Sequence, residues 1–148
     1  MNRKDFIKTC GFGCVGALAL GSVLQSCASV KMVDGIIDGE NILVNLSEFE
    51  VIKKQEKTFR KYIVVHNNQL QYPITLYRIN ENEYSALWMK CTHQGTELTA
   101  FGDKLQCAAH GSEFDKFGKA TRGPAENSLR TFNVINENNQ LKISLKEV

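Results

Sequence analysis

The chain has 148 residues, enough for one domain rather than two, and its apolar fraction of 43% is ordinary for a globular protein. Charged residues make up 23%, so the composition excludes an extensively disordered chain. With 18 basic and 16 acidic residues there is no basic excess typical of nucleic-acid-binding domains, and we expect no nucleic-acid partner.

The first 26 residues have the layout of an export signal. Three cations precede an uncharged, mostly apolar run over residues 9–24, which is short for a bilayer span. The following Leu24-Gln25-Ser26-Cys27 resembles a lipobox, the sequence that precedes a lipidated cysteine. We therefore expect a lipoprotein signal over 1–26 and lipidation at Cys27. The chain would then be exported and lipid-anchored on the periplasmic side of a bacterial membrane. An uncleaved anchor or a soluble protein are the alternatives.

The rest of the chain has the pattern of strands. Residues 27–39 contain two glycines and no clear hydrophobic period, so they are interpreted as a tether. From residue 40, β-branched and aromatic runs predict strands over 41–46, 61–66, 74–79, 84–89, 104–106, 129–135 and 141–145. Residues 80–83 and 136–140 predict hairpin turns. No amphipathic helix is predicted after the signal, which indicates an all-β domain.

A glycine-rich stretch between the two hairpins carries the chemistry. It contains Cys91-Thr92-His93 and Cys107-Ala108-Ala109-His110, and so holds two of the three histidines in the chain. Thiolates combined with imidazoles suit zinc or iron–sulfur chemistry. A four-ligand zinc site is one alternative, and a disulfide between the two cysteines is another.

The residues around these four side chains favour an iron–sulfur site over a zinc site or a disulfide. Segments 91–98 and 107–115, together with Gly118-Lys119 and Gly123-Pro124-Ala125, resemble the cluster loops, hairpin and Pro loop of the Rieske [2Fe–2S] family. The resemblance implies a Rieske-like antiparallel β-sandwich over 40–148, with a small cluster-binding subdomain inserted in it. It also implies one [2Fe–2S] cluster, with the cysteines on one iron and the histidines on the other. Around the cluster it places Ser112, Gly95, Gly111, Phe114 and Pro124.

The resemblance also sets an expectation for the reduction potential. Ser112 matches a hydroxyl that donates to a cluster sulfur in quinol-oxidising members of the family. Those members have tyrosine at the position of Phe114 and a disulfide at the positions of Thr96 and Ala109. They also usually have leucine at the position of Gln94. We therefore expect a potential below that of ubiquinol-oxidising relatives.

These observations predict one-electron transfer at a bacterial membrane surface, as a subunit of a membrane or exported oxidoreductase complex. The expected partner is a redox protein, with a cytochrome or quinol oxidoreductase complex favoured. A free-standing, lipid-tethered carrier resembling a ferredoxin is the alternative. No nucleophile–base pair, paired carboxylates or nucleotide-binding loop is visible, so no independent catalytic site is predicted.

Overall fold

The computed structural model describes residues 30–146, and the predicted signal and Cys27 lie outside them. The described chain is built from short strands, with one turn of 3₁₀ helix at Leu46–Phe49. The strands are β1 (Met32–Asp34), β2 (Ile36–Asp38), β3 (Asn41–Asn45), β4 (Glu50–Lys53), β5 (Glu56–Phe59), β6 (Tyr62–His66), β7 (Ile74–Arg78), β8 (Tyr84–Trp88), β9 (Thr99–Phe101), β10 (Lys104–Gln106), β11 (Glu113–Asp115), β12 (Ala120–Arg122), β13 (Thr131–Phe132), β14 (Val134–Glu137) and β15 (Gln140–Ser144). The all-β prediction is confirmed.

A five-stranded sheet in the order β1-β6-β7-β8-β13 is the central layer. β1 pairs with β6 in parallel, whereas the other pairs in this sheet are antiparallel. The middle strands are buried on both faces, which explains why Ile63-Val64-Val65 and Ile74-Thr75-Leu76-Tyr77 read as continuous runs rather than as alternating patterns.

One face of the central sheet packs on a second sheet in the order β14-β15-β3-β2. The core between them is mostly aliphatic, with Ile63, Leu76 and Ile143 each fully buried, and it also contains Phe49 and Phe132. We call these two sheets the base sandwich. The long antiparallel pairing of β3 with β15, from Asn41↔Ser144 to Asn45↔Gln140, joins the start of the fold to its end.

The other face of the central sheet carries a small four-stranded sheet in the order β12-β11-β10-β9. These strands lie in the chain between β8 and β13, which are themselves neighbours in the central sheet. The predicted insertion is therefore present, and we call it the metal-binding subdomain, with its loops 91–95, 107–111 and 123–129. A second core lies beneath it and contains Val64, Leu87, Leu105, Phe114 and both described cysteines.

Two expectations need correction. Residues 32–38 were expected to belong to the tether, but they form β1 and β2, since Val33 is buried in the base core and Gly35 packs closely against Ile42 and Val65. Residues 50–59, for which no strand is predicted, form the exposed β4–β5 hairpin. No helix within residues 30–146 is long and apolar enough to cross a membrane.

Candidate metal centre

Two loops of the metal-binding subdomain have the same backbone hydrogen-bond pattern. In the first, the Cys91 N–H donates to the Thr96 carbonyl at 2.8 Å, and the Gly95 N–H donates to the Cys91 carbonyl at 2.8 Å. In the second, the Cys107 N–H donates to the Ser112 carbonyl at 2.8 Å, and the Gly111 N–H donates to the Cys107 carbonyl at 2.9 Å. The loops are thus two copies of one turn, each beginning at a cysteine.

The glycine in each loop is required by the backbone. Gly95 has φ +73° and Gly111 has φ +77°, in the left-handed region that other residues seldom adopt. Both glycines lie four residues after the cysteine of their loop. This explains why the sequence carries a Cys-x₃-Gly spacing twice.

The loops place the four candidate ligands in two different environments. Cys91 and Cys107 are each 1% exposed and are free thiols, so the disulfide alternative is not realised in this structure. His93 and His110 are exposed, and their ring centroids lie 4.8 Å apart at an interplanar angle of 80°. Two buried thiols therefore lie below two exposed, adjacent imidazoles.

Hydrogen bonds favour the thiolate form of Cys107. Burial raises the pKa of this thiol, but hydrogen bonds from the backbone N–H groups of His110 and Ala109 and from the side chains of Cys91 and Thr96 act against it. The net result is a pKa below the ordinary value for cysteine. A thiolate is the form that binds metal, so this environment suits a ligand. Thr96 therefore acts on the second loop from the first.

The segment containing Pro124 clamps both loops. The Ala125 N–H donates to Ser112 Oγ at 3.0 Å, and the Thr92 hydroxyl donates to the Asn127 carbonyl at 2.7 Å. Ser112 is fully buried, and its hydroxyl hydrogen has no acceptor in the part of the chain that the structure describes. A buried hydroxyl hydrogen without an acceptor lowers the stability of the fold, and a bound group that accepts this hydrogen removes the cost. Pro124 itself is exposed.

Tyr72, which the sequence analysis did not identify, braces the first loop. Its hydroxyl donates to the Gly95 carbonyl at 2.6 Å, and its ring meets Trp88 edge-on at 5.6 Å. Tyr72 precedes Gly95 by 23 residues, and no local sequence pattern predicts a contact over that separation. Phe114 is fully buried in the second core, and its side chain has no hydroxyl that could donate a hydrogen bond.

The donor set of the two loops divides into a buried pair of thiols and an exposed pair of imidazoles. A structural zinc site needs four ligands around one ion. A [2Fe–2S] cluster with two thiolates on one iron and two imidazoles on the other needs two pairs. The buried pair, the exposed pair and the Ser112 hydroxyl without an acceptor fit such a cluster.

Comparison with known sequences agrees with this geometry. The family profile described as "Rieske [2Fe-2S] domain" matches residues 47–133. The cytochrome b6-f complex iron-sulfur subunit of Desmonostoc sp. is 30% identical over 147 residues, covering 87% of this chain and 76% of that protein. The cytochrome b6-f complex iron-sulfur subunit 1 of Nostoc sp. is 35% identical over 85 residues. That match covers 56% of this chain and only 41% of the Nostoc protein.

Solved structures give the same fold. The plasma membrane protein PetC3 from Synechocystis PCC 6803, described as a Rieske protein, is 28% identical, with a TM-score of 0.50 over 57% of this chain and 86% of that one. The ferredoxin of carbazole 1,9a-dioxygenase from Nocardioides aromaticivorans has a TM-score of 0.51 over 77% of this chain and 100% of its own. At 14% identity the second likeness concerns the fold alone.

Proposed function

Because this chain belongs to the Rieske [2Fe–2S] domain family and binds one such cluster, we propose that it transfers single electrons at the outer face of a bacterial membrane. When bound, the cluster supplies one-electron redox chemistry within a window of about −150 to +300 mV for this ligand type. The observation that carries the proposal is the pairing of two buried thiols with two exposed imidazoles in matching loops.

Each ligand pair has its own task in this proposal. Cys91 and Cys107 would hold one iron as thiolates inside the second core, where water is excluded. His93 and His110 would hold the other iron at the surface, where a partner can approach closely. The exposed imidazoles therefore set the end of the domain at which electrons enter and leave.

The residues around the ligands tune the reduction potential. The Ser112 hydroxyl accepts from the Ala125 N–H, and with the cluster bound it would donate its hydrogen to the cluster and so favour the reduced state. Phe114 cannot supply a second donor. We infer a potential below that of ubiquinol-oxidising relatives, and a redox titration that gives a value near the top of the family window would contradict this.

We propose that the chain serves as a subunit of a membrane or exported oxidoreductase complex. Two of its relatives are subunits of cytochrome b6-f complexes, which supports a cytochrome or quinol oxidoreductase partner. The chain spans about two-fifths of the Nostoc relative, so this partner is inferred from a shared domain rather than a shared whole. The apolar run over 9–24 and Cys27 support a lipid anchor on the periplasmic side.

A free-standing carrier is the second candidate. Phe114 and Gln94 support it, since both depart from the quinol-oxidising pattern, and the first loop is braced by the Tyr72 hydroxyl instead of a disulfide. In this case the electron partner would be a soluble protein rather than a cytochrome b embedded in the same complex.

Purification from native membranes separates the two candidates. Membranes that contain the full chain are solubilised in mild detergent, and the EPR signal of the reduced cluster is followed through size exclusion. Co-elution with b-type haem, and reduction by an added quinol, would support the complex. Elution alone, with reduction only by a soluble reductase, would support the carrier. Absence of any rhombic EPR signal from the reduced chain would contradict both.

A further inference from the structure

The two ends of the central sheet carry different parts of the molecule. At one end Trp88 lies opposite Ile74, and the first ligand loop begins three residues after Trp88. At the other end Tyr62, the first residue of β6, lies opposite Tyr77. The β4–β5 hairpin joins the sheet there, because only two residues separate Phe59 from Tyr62. We call this second end the far end, since it is remote from the first ligand loop.

The chain enters the described fold from the far end. β1 runs parallel to β6, and its first residue, Met32, lies level with the middle of β6, so the preceding residues approach from the far end. The Lys31 ammonium lies 2.6 Å from the Glu48 carboxylate, in the 3₁₀ turn that leads into β4. Cys27 is four residues before Lys31, and four fully extended steps of the chain cover at most about 14 Å. A lipid on Cys27 would therefore hold the far end close to the bilayer.

Large apolar side chains are exposed at the far end. Ile52 on β4 is 76% exposed, and Phe59 at the end of β5 is 43% exposed. Phe101, at the end of β9, is 68% exposed. The turn that follows it lies next to the start of β6, because Asp103 pairs with the Lys61 ammonium at 3.3 Å. Exposed apolar side chains grouped in this way mark a surface that contacts a protein or a membrane.

The hairpin adds a cation to these apolar side chains. Lys53 lies opposite Glu56, and Lys57 pairs with Glu50 at 2.6 Å, so the net charge of the hairpin comes from Lys54. Lys54 lies in the turn between β4 and β5, and within residues 30–146 it forms no ion pair. An apolar surface with a long, flexible cation at its tip matches a phospholipid surface. The apolar groups enter the acyl boundary, and the cation contacts phosphate.

We propose that the far end docks on the lipid bilayer, with Ile52, Phe59 and Phe101 in the interface and the ligand loops directed away from it. The inference rests on the lipid anchor at Cys27 proposed above. Apolar groups that bind a membrane in this way enter the headgroup and acyl boundary by about 5–10 Å. The exposed imidazoles would then face the aqueous side, so the redox centre of the partner has to stand clear of the bilayer.

Quenching by brominated lipid tests the docking. The full chain is incorporated into vesicles of phosphatidylcholine and phosphatidylglycerol, with and without lipid brominated on its acyl chains near the headgroup. Trp88 is the one tryptophan of the chain and supplies the background. Ile52→Trp adds an indole on the hairpin, and we expect bromine to quench the added fluorescence at least about twofold, because this indole enters the acyl boundary. Added fluorescence that is equal with and without bromine would overturn the proposal.

Ile135→Trp is the matched control. Ile135 is also exposed on the first strand of a hairpin, and it lies opposite Lys142 as Ile52 lies opposite Lys57. It belongs to the edge strand of the second sheet, level with the middle of β3, so its indole should stay outside the acyl region and escape quenching. Quenching of Ile135→Trp as strong as that of Ile52→Trp would contradict the proposed surface.

The opposite orientation has its own probe. Glu126 is exposed in the segment 123–129, beside the ligand loops. Glu126→Trp should escape quenching if the ligand loops face the aqueous side. Stronger quenching of Glu126→Trp than of Ile52→Trp would overturn the proposal, because the ligand loops would then face the bilayer.

Flotation with the vesicles and the EPR signal are measured for each protein before quenching. A rhombic signal from vesicle-bound protein, without quenching of Ile52→Trp, would refute the docking surface and leave the electron-transfer proposal standing. Quenching without a rhombic signal would support the docking surface and refute electron transfer. A chain that does not float with the vesicles would refute the lipid anchor and the docking surface together.

Discussion

The base sandwich and the metal-binding subdomain are held together in different ways. In the base, strands of up to five residues pair along their length over a buried, mostly aliphatic core. In the subdomain the strands have three residues each, and the loops are fastened by single hydrogen bonds from Tyr72, Thr92 and Ala125.

The magnitudes explain what this difference means. A fully buried aliphatic side chain contributes about 1.5–3 kcal/mol, whereas one intramolecular hydrogen bond contributes about 0.5–1.5 kcal/mol. The base can therefore fold through its own core. The subdomain shares the second core with the central sheet, and its loops depend more on the proposed ligand bonds from Cys91, Cys107, His93 and His110 to the cluster. Stability and cofactor binding should consequently be separable by mutation.

Removal of a buried thiol should have the largest effect. We expect Cys107→Ala to abolish cluster binding, because the remaining three ligands cannot complete the coordination of both irons. Far-UV circular dichroism should still report the strands of the base. His66→Ala, which changes the one histidine outside the two loops, should retain iron at the level of the unsubstituted chain. Iron retained in full by Cys107→Ala would break the ligand assignment.

The same truncation in each core should then separate the two regions. Leu76 and Leu105 are both fully buried, Leu76 in the base core and Leu105 in the second core with the two cysteines. Each Leu→Ala change should lower the free energy of unfolding by about 2–5 kcal/mol. Only Leu105→Ala should also change the EPR line shape or the iron content. Equal effects of the two variants on the EPR spectrum would contradict the separate roles of the base core and the second core.

Loss of the Ser112 hydroxyl should affect both stability and potential. Ser112→Ala leaves the Ala125 N–H without its acceptor, at a cost of about 1–3 kcal/mol. It also removes a donor that favours the reduced cluster. We expect the potential to fall by roughly 40–100 mV, since about 59 mV corresponds to 1.4 kcal/mol for one electron. Phe114→Tyr, which adds a hydroxyl nearby, should shift the potential upward. A Ser112→Ala potential equal to or above that of the unsubstituted chain would contradict this role.

A matched pair of tyrosines gives a smaller and sharper test. Tyr72→Phe removes the 2.6 Å hydrogen bond to the Gly95 carbonyl and should lower stability by about 0.5–1.5 kcal/mol, with faster loss of iron to a chelator. Tyr77→Phe should be neutral or stabilising, because the buried Tyr77 hydroxyl has no hydrogen-bond partner within residues 30–146. Burial also raises the pKa of Tyr77 well above its ordinary value. Thermal unfolding of both variants measures the two stabilities. A Tyr72→Phe protein that is more stable than Tyr77→Phe would contradict this prediction.

The smallest effect concerns acid stability of the subdomain. The hydrogen bond from the Lys104 ammonium, at 2.8 Å, holds the pKa of the Glu113 carboxyl below its usual range. A folded-state pKa below the unfolded one stabilises the fold at pH values above the unfolded pKa, about 4.3. This stabilisation is lost as the pH falls through the folded value. Stability between about pH 6 and 3 is measured by chemical denaturation for both proteins. The acid limb of the stability curve should be flatter for Glu113→Gln than for the unsubstituted chain. An unchanged slope would contradict the assignment.

The sequence predicts the base more completely than the subdomain. The strands of the central hairpin, Ile74–Arg78 and Tyr84–Trp88, follow from uninterrupted β-branched and aromatic runs around a polar turn. Three-residue strands such as Thr99–Phe101 and Ala120–Arg122 carry too few residues to show a period, and only Lys104–Gln106 was predicted among them. The β1 and β2 strands were missed for the same reason.

The four candidate ligands could be found because their spacing is local, within two short loops. The residues that hold those loops could not, since the Thr92–Asn127 bond joins positions 35 residues apart and depends on how the subdomain packs. The same is true of the cations beside Trp88. Lys90 and Arg130 are ordinary charged residues in the sequence, and only the fold brings both against Trp88.

The central claim is that this chain holds a Rieske cluster through Cys91, His93, Cys107 and His110. The most direct test is low-temperature EPR of the purified full chain before and after dithionite, with iron and sulfide assays. We predict a silent oxidised protein, a rhombic signal on reduction, and two irons and two sulfides per chain. A colourless protein that holds zinc or no metal, even after anaerobic reconstitution, would contradict the account.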